Sequence, residues 1–167
     1  RQIAYQLLTA VAYLHDTLGI VHRDIKPENI IYNKDTGSLQ LIDFGYARPF
    51  TKQVDTPYYI TTLIWMMSKV GTPFYIPPEM LLGRPYTCTV DEWSTGVTLF
   101  AVLYGCPPFP GETEMEINPL ILNGVPWPVK CKRSSDAYDC IHKQLLHKDP
   151  ATRATAAQVL ESAWLRP

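Results

Sequence analysis

The sequence has no C-x-x-C pair, no apolar run near the roughly 18 residues that span a bilayer, and no excess charge of either sign. Each absence removes a class of protein. Four cysteines, Cys88, Cys106, Cys131 and Cys140, are scattered without matched histidine spacing, which argues against a zinc or disulfide framework and for reduced structural thiols in an intracellular protein, cytoplasmic or nuclear. Fifteen basic against sixteen acidic residues give a net charge of −1, so bulk charge predicts neither nucleic-acid nor membrane binding. There is no internal repeat, no low-complexity stretch and no signal-peptide pattern; the opening RQIAYQLLTAVAYL has no initiator Met and reads as the middle of something.

What remains is 167 residues at 46% hydrophobic content, the profile of one soluble globular domain with a real core. Ile3, Leu7, Val11, Leu14 and Leu18 recur at three- and four-residue steps and predict one helical face, with Gly19 as its stop. Ile30-Ile31-Tyr32 and Leu39-Gln40-Leu41 flank the turn-forming Asn33-Lys34-Asp35-Thr36-Gly37 and predict a small hairpin. From Asp43 to about Pro78 no period is sustained. Val90 to Tyr104 is apolar nearly all round (Trp93, Val97, Leu99, Phe100, Val102, Leu103), as in a buried central helix. A further helix is predicted over 136–147, with Tyr138, Ile141, Leu145 and Leu146 inward. Another begins at the capping-box pattern Thr155-Ala-Ala-Gln158. Pro119 predicts a short or displaced helix after the GCPPFPG turn.

The densest polar chemistry lies in VHRDIKPENI, residues 21–30. Singly, Asp24 could cap a turn, Arg23 could be a surface cation and Asn29 could fix a loop. Together, His22-Arg23-Asp24, then Asn29, then Asp43-Phe44-Gly45, resemble the catalytic loop and metal-binding motif of eukaryotic protein kinases. More of the pattern follows in order. Gly71-Thr72-Pro73-Phe74-Tyr75-Ile76-Pro77-Pro78-Glu79 resembles the end of a kinase activation segment. Asp91-Glu92-Trp93-Ser94-Thr95-Gly96 resembles the start of the kinase central helix, and Asp149-Pro150-Ala151-Thr152-Arg153 the late motif whose Arg pairs with the Glu matched by Glu79. The resemblance runs over residues 1–165. It implies an α+β, protein kinase-like fold: a mostly α-helical C-terminal lobe with a small β-hairpin at the active site.

The resemblance also implies roles. Asp24 accepts the substrate hydroxyl proton, Lys26 sets a cation beside the transferring phosphate and contacts ATP, and Asn29 and Asp43 ligate Mg²⁺. Gly45 permits the turn after Phe44, Asp91 accepts hydrogen bonds from the catalytic-loop backbone, and Arg23 is placed to pair with a phosphate on the activation segment. Lys26 together with Thr72 points to a serine/threonine kinase. Glu28 stands where basophilic members receive a substrate Arg, and Glu112, Glu114 and Glu116 could extend that acidic surface. Candidate phosphosites are Thr51, Thr56, Thr61, Thr62 and Ser68, and Trp65-Met66-Met67 is a candidate docking or autoinhibitory patch.

The family's Gly-rich loop, G-x-G-x-x-G, and its strand lysine in V-A-I-K have no counterpart in these residues. The expectation is therefore a C-terminal lobe whose N-terminal lobe is missing, inactive alone and acting on protein substrates when joined to it. Two other readings compete. A non-catalytic, pseudokinase-like interaction module has no need of Asp24, Asn29 and Asp43. A metal-dependent hydrolase using Asp24 and Asp43 leaves Glu79, Asp91 and Arg153 unexplained.

Overall fold

The computed structural model describes residues 1–50, 73–124 and 135–166. Helix α1, Gln2–Ala12, opens the chain and continues as one wide π-helical turn over Tyr13–Leu18, closed by Gly19 in the left-handed region at φ 62°. That widening changes which side chains face inward. Ala4, Leu7, Leu8, Val11 and Leu14 are buried, whereas Leu18 is 47% exposed, against the regular-helix expectation. His15 turns into the interior instead, at 5% exposure. A 3.6-residue period extrapolated through a wider turn loses phase, and Leu18 is where the error shows.

Strand β1, Ile20–Val21, pairs antiparallel with β4, Arg48–Pro49. Strands β2, Ile30–Tyr32, and β3, Leu39–Leu41, form the predicted hairpin in the register Ile30 to Leu41 and Tyr32 to Leu39. Its turn is held by Asn33, whose Oδ1 accepts from the N–H groups of Asp35 and Thr36. A short helix α2, Pro78–Leu81, begins with Pro78 at its first position, where a missing N–H costs no intrahelical bond.

The centre is α3, Thr89–Tyr104. Every residue from Val90 to Phe100 is buried, including Asp91 and Glu92; Val102, expected inside, is 49% exposed because the last turn reaches the surface. Gly96 lets the next layer approach closely, since a Cβ there would stand 2.9 Å from Leu145 Cβ and from Leu146 Cδ2. Helix α4, Glu114–Asn123, is neither short nor broken: it runs through Pro119. Pro119 is exposed, and the carbonyl that lacks its N–H belongs to Met115, itself 88% exposed, so water can take that bond. Helix α5, Ser135–Asp139, widens into a π-helical stretch over Cys140–Leu145, placing Ile141, Leu145 and Leu146 inward and leaving Tyr138 half-buried on the ring of His142. Helix α6, Ala156–Leu160, starts with the predicted capping box of Thr155 and Gln158.

One core unites α1, α3, α4, α6 and the α5 stretch, and a smaller cluster of Val21, Met80, Tyr86 and Val90 lies beneath β1. Among the described residues the cysteines are free thiols; burial pushes Cys88 up to about 12 and Cys140 up to about 11, so neither is a ready thiolate. No helix among the described residues is long and apolar enough to cross a membrane.

Candidate active site

The loop between β1 and β2 carries His22, Arg23, Asp24, Lys26 and Asn29, and is held from below by α3. Asp91, wholly buried, accepts from the backbone N–H of His22 at 2.7 Å through Oδ2 and of Arg23 at 2.8 Å through Oδ1. Arg23 sits at φ 68°. With Asp43 at φ 61° it is one of two non-glycine residues in the left-handed region among the described residues. Such backbone costs about 1–3 kcal/mol apiece and persists only where the surroundings over-determine it. Both instances are here.

Arg23 is buried and its Nε donates to the Tyr46 carbonyl at 2.6 Å; Nη1 lies 3.4 Å from the Tyr86 hydroxyl. His22 bridges outward, its Nε2 3.1 Å from the Ile42 carbonyl and its ring edge-on to Phe44. The loop is thereby tied to the segment that carries Asp43.

Asp24 is half-buried at the rim. Its Oδ2 receives Lys26 Nζ at 2.9 Å and Asn29 Nδ2 at 2.8 Å. Asn29 Nδ2 also donates to the Asp24 carbonyl, so both amide hydrogens are committed and the side-chain oxygen is the atom that could meet a cation. The Ile42 N–H donates to the Asn29 carbonyl at 2.9 Å, which fixes the residue beside Asp43 against Asn29. Asp43 is exposed; one carboxylate oxygen accepts the Gly45 N–H at 3.2 Å. Gly45 itself is not left-handed. Its lack of a side chain matters because a Cβ would lie 3.1 Å from that same carboxylate oxygen.

Two hard oxygen donors, one neutral and one anionic, on adjoining backbone fit a cation that keeps much of its water, as Mg²⁺ does. Among the described residues no group of three or more His, Cys, Asp or Glu could hold a metal ion.

Glu79 and Arg153 form a buried, two-pronged ion pair at 2.7 and 2.9 Å, and Arg153 also donates to the carbonyls of His147 and Thr89. Its guanidinium lies 5.1 Å from the Trp93 ring centroid. Glu28 is exposed near Tyr75, whose hydroxyl is pushed up to about 12 by burial first and by the Glu28 charge second. Of the three further glutamates, Glu116 is engaged in capping α4, accepting from the Glu112 and Thr113 N–H groups. Thr72, the phosphosite candidates Thr51, Thr56, Thr61, Thr62 and Ser68, and Trp65-Met66-Met67 lie outside the described residues.

The motif reading missed His15 and Glu92. His15 Nε2 stands 2.9 Å from Asp91 Oδ2 and Nδ1 3.1 Å from Glu92 Oε1. The signal was available: two consecutive carboxylates in a helix otherwise apolar require buried partners.

Comparison with known proteins matches the protein kinase domain family over residues 1–165. The chain is a member of the protein kinase family. Calcium-dependent protein kinase 14 of Arabidopsis thaliana is 42% identical over 156 residues, covering 89% of this chain and 27% of that protein. CDPK-related kinase 5 of the same plant is 37% identical over 177 residues, covering 99% and 26%. Human serine/threonine-protein kinase H1 is 37% identical over 172 residues, covering 98% and 38%. The chain thus spans between a quarter and two fifths of these relatives' lengths. Its kinase relatives are of the serine/threonine type, and the α+β fold with a largely helical lobe is that of the family.

Proposed function

We propose that this kinase chain supplies the catalytic loop and metal-binding residues of a serine/threonine protein kinase. In this reading it transfers the γ-phosphate of ATP to Ser or Thr hydroxyls of protein substrates when joined to an N-terminal lobe. The observation that carries the reading is the Asp24–Lys26–Asn29 cluster, seated on Asp91 and tied through Ile42 to Asp43.

The chemistry follows from positions. Phosphoryl transfer asks the protein to orient the nucleophile and neutralise charge rather than to form bonds itself. Asp24 orients the incoming hydroxyl and takes its proton. Lys26, hydrogen-bonded to Asp24, keeps that carboxylate aimed and brings a cation to the transferring group. Asn29 and Asp43 would hold Mg²⁺, which supplies charge neutralisation at the phosphates when bound. Phe44 and Ile31, 47% and 51% exposed beside these ligands, leave apolar surface for a covering lobe. Glu28, exposed next to Tyr75, favours substrates with a basic residue near the phosphosite.

A non-catalytic interaction module gains nothing from the left-handed backbone held at Arg23 and Asp43. The substrate reading is tested with protein expressed from the complete reading frame, comparing Ser peptides with and without a neighbouring Arg. Preference for the basic peptide that disappears in Glu28→Gln supports the assignment of Glu28. Equal rates on both peptides remove it.

A further inference from the structure

Glu92 is an ionisable side chain in the middle of the core, only 1% exposed, at the position following the residue that anchors the catalytic loop. Its carboxylate makes two contacts through one oxygen: Oε1 lies 3.1 Å from His15 Nδ1 and accepts the Ala156 N–H at 3.1 Å. Oε2 has no hydrogen-bond partner among the described residues. A buried carboxylate with half its acceptor capacity unused is a poor packing choice, since an apolar residue of the same volume would avoid the desolvation.

The other ring nitrogen of His15, Nε2, faces Asp91 Oδ2 at 2.9 Å. Asp91 already accepts two backbone N–H groups, from His22 and Arg23, and so acts as a carboxylate. A neutral imidazole has one N–H and one lone pair. Set between two carboxylates, it would turn that lone pair on one of them, so both nitrogens carry protons here. Burial works against the charged ring, but the hydrogen bonds and charges of Asp91 and Glu92 outweigh it and raise His15 to about 10.

We propose that Glu92 is a positioning residue for phosphoryl transfer: it keeps His15 doubly protonated, so that His15 holds Asp91 aimed at the backbone of His22 and Arg23. The inference rests on the kinase reading and adds a residue to it. Without the Glu92 charge, His15 loses one of its two anionic neighbours, sheds its Nδ1 proton at lower pH, and pulls less firmly on Asp91. Among the described residues, Asp91 is the one other carboxylate in hydrogen-bond contact with His15. Facing the cluster are the Cys88 thiol from the turn before α3, the Tyr86 hydroxyl and His22 and Arg23 from the loop; Asp16 lies next along the His15 segment, at the surface. Phe50 meets His15 edge-on, and α6 contributes only the Ala156 N–H.

The test uses protein from the complete reading frame with ring-labelled histidine, as wild type, Glu92→Gln and Glu92→Met. Glutamine keeps the size and the acceptor oxygen and removes the charge; methionine removes both. In the wild type His15 stays doubly protonated to about pH 9, and kcat carries no His15-dependent limb between pH 6.5 and 9. In Glu92→Gln the His15 resonance titrates at lower pH, the His22 and Arg23 amide signals shift with it, and kcat falls across that same titration to a lower plateau. A His15 titration unchanged in both variants overturns the proposal. So does a Glu92→Gln loss of kcat uniform across pH, the mark of plain destabilisation. Wild-type protein with no turnover defeats the kinase reading, while the resonances of His15, His22 and Arg23 still decide the role of Glu92.

Discussion

Arg153 grips Glu79 through two parallel hydrogen bonds, 2.7 and 2.9 Å long, with both side chains all but closed to water. The pair ties the C-terminal motif to the end of the activation segment and lies against Trp93, which stacks in turn on Phe109 with ring planes 4° apart. Removing one partner strands the other charge in the core. Arg153→Ala is expected to destabilise the fold by about 3–5 kcal/mol. Arg153→Lys recovers little of this, because a point charge cannot reproduce a planar fork. Equilibrium urea unfolding checks both.

Stability should also depend on pH through His15. Its folded value of about 10 lies above the ordinary 6.5, so the folded state holds a proton that the unfolded chain releases. The stabilisation is complete below about pH 6.5 and is lost as pH rises toward 10, with a slope of at most about 1.4 kcal/mol per pH unit. His15→Gln should be less stable at pH 7 and show a flatter profile between pH 7 and 9. Urea midpoints measured across that window provide the comparison.

Asp43 and Asn29 should separate in their effects. Asp43→Asn removes the exposed carboxylate proposed to hold Mg²⁺ without disturbing the loop, so the Mg²⁺ concentration for half-maximal transfer is expected to rise while the melting temperature holds. Asn29→Asp also removes the amide that donates to Asp24, and sets two carboxylates 2.8 Å apart. It should lose activity at every Mg²⁺ concentration. Initial rates over a Mg²⁺ series distinguish the two.

Gly96 predicts a purely structural defect. The α5 side chains Leu145 and Leu146 occupy the space a Cβ would need, at 2.9 Å. Gly96→Val forces α3 and the α5 stretch apart and should cost about 1–3 kcal/mol, read as a lowered melting temperature.

The parts legible in the sequence are those governed by short-range rules. The hairpin followed from two short apolar runs around an Asn-to-Gly turn, and it forms in the register that places Ile30 against Leu41. The capping box at Thr155 was equally local, although the same pattern at Thr113 and Glu116 passed unread. Asp24, Asn29 and Asp43 were found by motif spacing, which the fold brings together through a backbone bond no pattern encodes. What could not be read depends on distant chain. The wide turn at Tyr13–Leu18 moves His15 inward, onto Asp91 and Glu92 of distant α3, and Leu18 outward. Strands of two residues, such as Ile20–Val21 against Arg48–Pro49, are too short to carry a period at all.

In the proposed reaction Asp24, held by Lys26 and Asn29 in the loop that Asp91 anchors, receives the hydroxyl proton. The direct measurement is Mg²⁺-dependent transfer of labelled γ-phosphate to a Ser peptide, using protein from the complete reading frame beside Asp24→Asn. Measurable transfer by the wild type and a loss of about 10²–10⁴-fold in the variant are expected, with melting temperatures within a few degrees of each other. Equal rates in the two proteins, or none in either with Mg²⁺ and ATP in excess, would contradict this role of Asp24.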